Sequence, residues 1–241
     1  MAARAALITG GSSGIGLAIA RALGQDDYGV TISARRPDKL EASAAGLRDE
    51  GLDVHSVAAN MADEEDIKKV VVEHRERFGR LDVVINNAGI GIGGAVVDAD
   101  TKKLDLQLDV NLRAVYLLAR ETIPLLREAG GEHGKALMAN TASIAGKHGQ
   151  GWLAAYSATK FGVVGLSQAL HKELSNDGVQ VTAICPGFVA TSMTDWVQEQ
   201  VPKEKMIQPE DIAEAIRFLL RTSPNCVVPE LQFIRPGDSE V

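Results

Sequence analysis

Short apolar runs alternate along the chain with longer stretches in which apolar residues recur every three or four positions. The runs AALIT (5–9), VTISA (30–34), DVHSVAA (53–59), LDVVINNAG (81–89), KALMANTAS (135–143), VQVTAICPG (179–187) and LQFI (231–234) read as strands. Amphipathic stretches between them predict helices over 14–24, 37–50, 63–78, 101–129 and 153–176. In the segment DEEDIKKVVVEHRERF, acidic residues open the first turn and basic residues follow, as the helix dipole favours. Repeated alternation of apolar strands and helices predicts an α/β fold, a doubly wound, mostly parallel sheet covered on both faces. No linker, low-complexity block or repeat interrupts it, so residues 1–241 read as a single domain.

In such sheets ligands bind beyond the carboxyl ends of the strands. The residues that punctuate those ends are Gly10–Gly16, Ala34–Arg36, Asn60–Met61, Asn86–Gly89, Ser143 and Pro186–Gly187. The first of them is the most unusual. ITGGSSGIGLAIA passes from a strand to a helix through residues almost bare of side chains. Gly10, Gly14 and Gly16 give a G-x-x-x-G-x-G spacing rather than G-x-G-x-x-G. Such a loop lets the strand turn sharply, lets a phosphate approach the backbone and points free helix N–H groups at it. A flexible surface loop has the same composition, so the rest of the chain must decide.

Composition narrows the function classes. The chain has 241 residues, 45% hydrophobic and 24% charged, as in ordinary globular domains. A net charge of −7 without any basic run speaks against nucleic acid or an anionic membrane surface as partner. No apolar stretch is long enough for a membrane span, and MAARAALITG reads as the first strand rather than a signal peptide. Cys185 and Cys226 lack metal-ligand spacing, and each reads as a small buried apolar residue. No metal is expected, and the expected compartment is the cytoplasm.

Chemistry concentrates in the second half. Tyr156 and Lys160, in YSATK, stand four apart on one helix face. An ammonium beside a phenol favours the phenolate, which makes the pair a tuned acid and base. Taken alone, the pair is equally a buried Tyr beside a Lys that reaches for solvent. Ser143 ends a strand thirteen residues before Tyr156, and its hydroxyl is placed to bind the oxygen on which Tyr156 acts. Asn111 interrupts an apolar helical run, either as a satisfied buried amide or as part of a proton relay.

TGGSSGIG, NNAG, Asn111, Ser143, YSATK and the PG of Pro186–Gly187 occur in one order on compatible elements. With this set the chain resembles the short-chain dehydrogenase/reductase family, in its short single-domain form, from about Ala5 to Leu220. The resemblance implies a Rossmann-like sheet of about seven strands. It implies a nicotinamide dinucleotide whose pyrophosphate lies on Gly10, Ser12, Ser13, Gly14, Ile15 and Gly16. It gives Tyr156 the role of general acid in carbonyl reduction or base in alcohol oxidation. Lys160 lowers the pKa of Tyr156 and binds the nicotinamide ribose, Ser143 orients the substrate oxygen, and Asn111 holds a water that links Lys160 to solvent. Asn87, Ala88 and Gly89 wall the adenosine-ribose side. Pro186, Gly187, Val189 and Thr191 meet the carboxamide end, although Thr191 is also a candidate helix N-cap. Where NAD-preferring members carry an acidic residue, this chain has Ala34 followed by Arg35, which points to NADP over NAD. A mostly reduced NADP pool then implies reduction of a small carbonyl. The alternatives are an NAD-dependent secondary-alcohol dehydrogenase and, in another class, a non-enzymatic dinucleotide sensor; the intact Ser–Tyr–Lys set counts against the sensor.

Three features depart from the family pattern. Asn60 stands where an Asp accepts a bond from adenine; its amide oxygen still accepts one, and Met61 is placed to touch the ring. Ala142 replaces a common Ser, and the tail CVVPELQFIRPGDSEV lacks the usual Gly-rich ending. Self-association is expected as a homodimer or homotetramer, the dimer through helices around Arg113–Leu126 and Ala154–Leu174. Residues of about 190–208 are expected to form a lid, with Met193, Trp196, Val197 and Met206 facing Ile144, His148, Gln150 and Trp152 across the substrate. Several of these side chains are equally able to pack the lid alone, and His148 reads as an ordinary surface histidine.

Overall fold

Strand β1 (Arg4–Thr9) lies near the middle of a seven-stranded sheet in the computed structural model, which describes residues 4–238. The others are β2 (Tyr28–Ala34), β3 (Val54–Ala58), β4 (Val83–Asn86), β5 (Ala136–Thr141), β6 (Val179–Pro186) and β7 (Glu230–Phe233). Their order is β3-β2-β1-β4-β5-β6-β7 and every pairing is parallel. Buried on both faces, the strands are almost continuously apolar: β1 buries five of its six residues. The strand order reverses between β1 and β4, which opens a crevice at their carboxyl ends.

Helices cover both faces. Helix α1 (Gly14–Gln25), α2 (Pro37–Asp49) and α7 (Pro209–Arg221) share one apolar core with Ile8, Val30, Ile32 and Ile85. Helix α3 (Glu64–Phe78), α5 (Ala114–His133) and α6 (Ala154–Leu174) build the other with Leu7, Val84, Met138 and Val181. Helix α3 shows how local chemistry fixes such an element. The Asp63 side chain accepts from the Glu65 and Asp66 amides, three acids fill the first turn, and Gly79 ends the helix at φ 73°.

Three expectations are corrected. The helix expected over 101–129 is broken: α4 (Thr101–Leu108) passes through a π turn (Asp109–Arg113) into α5. Helix α7 was not expected, although Pro209 at its first turn and the Gln208–Asp211 capping box mark its start. It packs on α1, where Arg217 bonds Asp26 and the Ala22 carbonyl. Cys185 is buried as expected, whereas Cys226 is exposed in the loop after α7. Among the described residues no helix is long and apolar enough to cross a membrane.

Candidate active site

A cavity of about 780 Å³ occupies the carboxyl-end crevice. One half is built by the first turn. Gly10 takes φ 68° and Gly14 φ 53°, values that suit glycine. A Cβ on Gly10 would lie 2.8 Å from Asn87 Nδ2, and one on Gly14 would lie 2.8 Å from Thr191 Cγ2. Ser13 opens α1 without a side-chain cap, and no acid occupies the first turn. The N–H groups of that turn are thus open to an anion. Asn87 secures the loop from β4: its Nδ2 donates to the Thr9 carbonyl at 3.1 Å, and Thr9 Oγ1 accepts from the Asn87 and Ala88 amides. A bare cradle and an uncapped helix start fit the pyrophosphate of a dinucleotide.

The other half carries the titratable groups. Ser143, Tyr156 and Lys160 all line the cavity, with Thr141, Ala142 and Leu153 between them. Ser143 Oγ donates to the Pro186 carbonyl at 3.3 Å and accepts from the Ala145 amide at 3.1 Å. Lys147 ties this loop to β7 through Glu230 at 2.8 Å. Lys160 is 4% exposed, and its Nζ donates to the Thr141 carbonyl at 2.7 Å. Burial lowers the Lys160 pKa to about 8. Burial likewise pushes the Tyr156 phenol above its ordinary value, with a hydrogen bond from Ser143 opposing. On balance the Tyr156 phenol is thus raised, where the sequence leads one to expect a lowering by Lys160. The ammonium lies 5.6 Å from the Tyr156 ring centre and is bonded to Thr141, so desolvation prevails.

The structure sorts the remaining candidates. Gly10, Ser13, Gly14, Ile15, Asn87, Ala88, Gly89, Pro186, Gly187, Val189 and Thr191 line the cavity. Ser12 does not; its carbonyl accepts from Ser43 Oγ. Gly16 is buried behind the loop, where a Cβ would clash with the Gly10 carbonyl oxygen, so a glycine is required there for the loop to pack on α1. Met61 also departs from expectation: it is buried in the core with Val57, Ala59 and Ile67. Asn60 is exposed, and its Oδ1 accepts from the Ala62 amide at 3.2 Å, capping its own turn. Arg35 is exposed at the end of β2, outside the cavity wall, and makes no side-chain hydrogen bond or ion pair among the described residues. Asn111 does not reach the cavity. Its amide is satisfied by the Ile90 N–H at 2.8 Å, the Ile90 carbonyl at 2.9 Å and Thr159 Oγ1 at 3.2 Å. Thr191 lines the cavity and stands at the N-cap of the 3-10 turn Ser192–Val197.

The residues of the expected lid divide into two groups. Val189 pairs with Ile207, closing the loop between them. Met193 and Trp196 face the cavity, while Val197 and Met206 are buried beneath. Across from them stand Ile144, Gln150 and Trp152, but not His148. Sequence reasoning missed Phe188, just after the PG turn, and Ile234, Gly237 and Asp238, which bring the C-terminal segment into the wall. The signal available was the PG turn, because Gly187 N–H donates to the Phe233 carbonyl at 2.8 Å and draws that segment in.

Comparison with known proteins agrees with this geometry. The family description for short chain dehydrogenases matches residues 4–202. The 3-oxoacyl-(acyl-carrier-protein) reductase FabG of Staphylococcus aureus is 34% identical over 226 residues, 90% of either chain. A single-site variant of actinorhodin polyketide ketoreductase, solved with NADPH, superposes with a TM-score of 0.87 at 32% identity. That match covers 96% of this chain and 97% of the other. A 3-ketoacyl-(acyl-carrier-protein) reductase from Brucella melitensis, solved with NADH, gives 0.87 at 30% identity, covering 96% of each. The sheet is thus the Rossmann-like one of its solved neighbours, and the chain belongs to the short-chain dehydrogenase/reductase family.

Proposed function

We propose that this chain is an NADP(H)-linked oxidoreductase that interconverts a small carbonyl compound and its alcohol, with Tyr156 moving the proton. The observation that carries this reading is the placement of Ser143, Tyr156 and Lys160 on one wall of the cavity that the uncapped start of α1 also enters. The nicotinamide supplies or accepts the hydride. The chain contributes position, proton and charge. Ser143 Oγ holds the substrate oxygen against Tyr156. The phenol is kept protonated by burial, so in reduction it donates its proton to that oxygen. Lys160, with a pKa of about 8, is mainly charged at neutral pH and stabilises the phenolate that remains. Its Nζ is also the group that holds the nicotinamide ribose. Gly10, Ser13, Gly14 and Ile15 hold the pyrophosphate, Asn87, Ala88 and Gly89 wall the ribose, and Pro186, Gly187, Val189 and Thr191 receive the carboxamide end.

The exposed guanidinium of Arg35, beside Ala34 where a carboxylate would repel a 2′-phosphate, supports NADP over NAD. The relative solved with NADH keeps the NAD-dependent alcohol dehydrogenase as the second reading. The apolar residues Leu104, Leu108, Tyr116 and Phe161 are exposed on α4 to α6, which supports self-association through those helices. Cytoplasmic residence belongs to the same reading. Titration of the chain with NADPH and NADH, followed by a panel of ketones, aldehydes and secondary alcohols, tests it. Tighter NADPH binding with ketone reduction is expected. Preferential use of NADH moves the reading to the second, and cofactor binding without turnover of any compound overturns both.

A further inference from the structure

The chain has two tryptophans, and both stand at the mouth of the cavity. Trp152 is 61% exposed and Trp196 57%, although these are the largest apolar side chains available. Their ring centres lie 6.3 Å apart, and Phe188 meets Trp196 edge-on at 6.1 Å. Trp152 also holds φ 68°, a backbone state that a bulky side chain adopts only where its surroundings enforce it. Its carbonyl accepts from the Gly94 amide at 2.8 Å. Packing does not explain an indole that is both strained and exposed.

The opposite wall gives the spacing. A Cβ on Gly93 would overlap the Trp152 ring, and one on Gly91 would lie 3.9 Å from the Tyr156 ring. The indole and the phenol therefore rest on bare backbone two residues apart. Two residues of chain span at most about 7 Å, close to the breadth of one aromatic ring. We propose that Trp152 and Trp196 form an aromatic clamp that selects ketones whose carbonyl carries a flat aromatic ring. This rests on the reading of Tyr156 as the group that protonates the carbonyl. The two indoles lie against one another. A substrate ring replaces that contact, lying on the face of Trp152 with its edge toward Trp196. A saturated ring of equal size buries similar area but lacks the quadrupole that favours these geometries. The aromatic ring gains about two- to twelvefold from each such contact.

Two measurements test the clamp. The first compares kcat/KM for acetophenone and cyclohexyl methyl ketone in the wild type, Trp152→Leu and Trp196→Leu. The second is calorimetric titration of the NADPH complex with 1-phenylethanol and 1-cyclohexylethanol, a pairing in which no hydride can move. The aryl compound is expected to lead by about five- to tenfold in both measurements, and the lead should shrink toward one in each variant. Equal values in the wild type, binding of neither alcohol, or a lead that persists in both variants overturns the clamp. A calorimetric lead without reduction of either ketone supports the clamp and sinks the Tyr156 reading. Reduction of both at equal efficiency does the reverse.

Discussion

Lys160 is the buried charge at the centre of the site, and its burial has a cost that can be measured. The unfolded chain keeps the lysine proton up to about 10.5, whereas the folded chain releases it near 8. Between those values the unfolded state binds more protons, so this group's contribution makes stability rise with pH. Lys160→Met should therefore stabilise the fold at pH 7 by about 2 kcal/mol, the relief of burying the charge less the lost Thr141 bond. Its lead over the wild type should narrow from pH 8 to 10.5, read from denaturant unfolding at several pH values. A lead that is independent of pH would show that Lys160 is not the group responsible. On the proposed NADP reading, Arg35 contributes to ligand rather than to fold. Arg35→Ala should weaken NADPH by about 1.5–3 kcal/mol and leave NADH almost unchanged in calorimetric titration, whereas equal losses would misplace the 2′-phosphate. At this scale the sequence was legible where spacing dictates geometry. Tyr156 and Lys160 share a face because they are four apart on a helix. Met61 departs from expectation for a physical reason: in sequence, a core methionine looks like one that faces a ring.

The elements around the site divide into fixed and movable ones. The π turn at Asp109–Arg113 is fixed by Asn111, whose amide satisfies both backbone groups of Ile90. Asn111→Ala leaves those groups without partners beside the glycine wall. It should cost about 1–3 kcal/mol of stability in chemical denaturation, and a neutral result would mean that water replaces the amide freely. The break itself was hidden in the sequence, because an amphipathic pattern does not reveal one extra residue in a turn. Helix α7 is legible in the sequence, with Pro209 at its start and apolar residues on one face. The segment 191–207, held by the Val189–Ile207 pair and by Val197 and Met206 beneath it, is the element proposed to move. Its amides should gain protection from hydrogen exchange when cofactor and ketone are both bound. Unchanged protection would place the substrate elsewhere.

Over the whole molecule, the parallel sheet brings distant segments to one edge because all its strands end there and the strand order reverses between the paired β1 and β4. That convergence was readable from the alternation of strands and helices alone. The contribution of the C-terminal segment was not, since Ile234 and Asp238 reach the cavity only through pairing of β7 with β6. Assembly is the other property of this scale. If α4 to α6 form the self-association face, Tyr116→Glu with Phe161→Glu should shift the sedimenting species to a monomer, and an unchanged species would move the interface to another face. The central claim is that one phenol carries the proton for hydride transfer. Tyr156→Phe removes a single hydroxyl, so folding and cofactor affinity should survive. The most direct measurement is turnover of a ketone by wild type and Tyr156→Phe at saturating NADPH, followed by loss of reduced-nicotinamide absorbance. A fall of about 100-fold or more with unchanged NADPH binding is the predicted result; near-normal turnover with its pH dependence intact would contradict it.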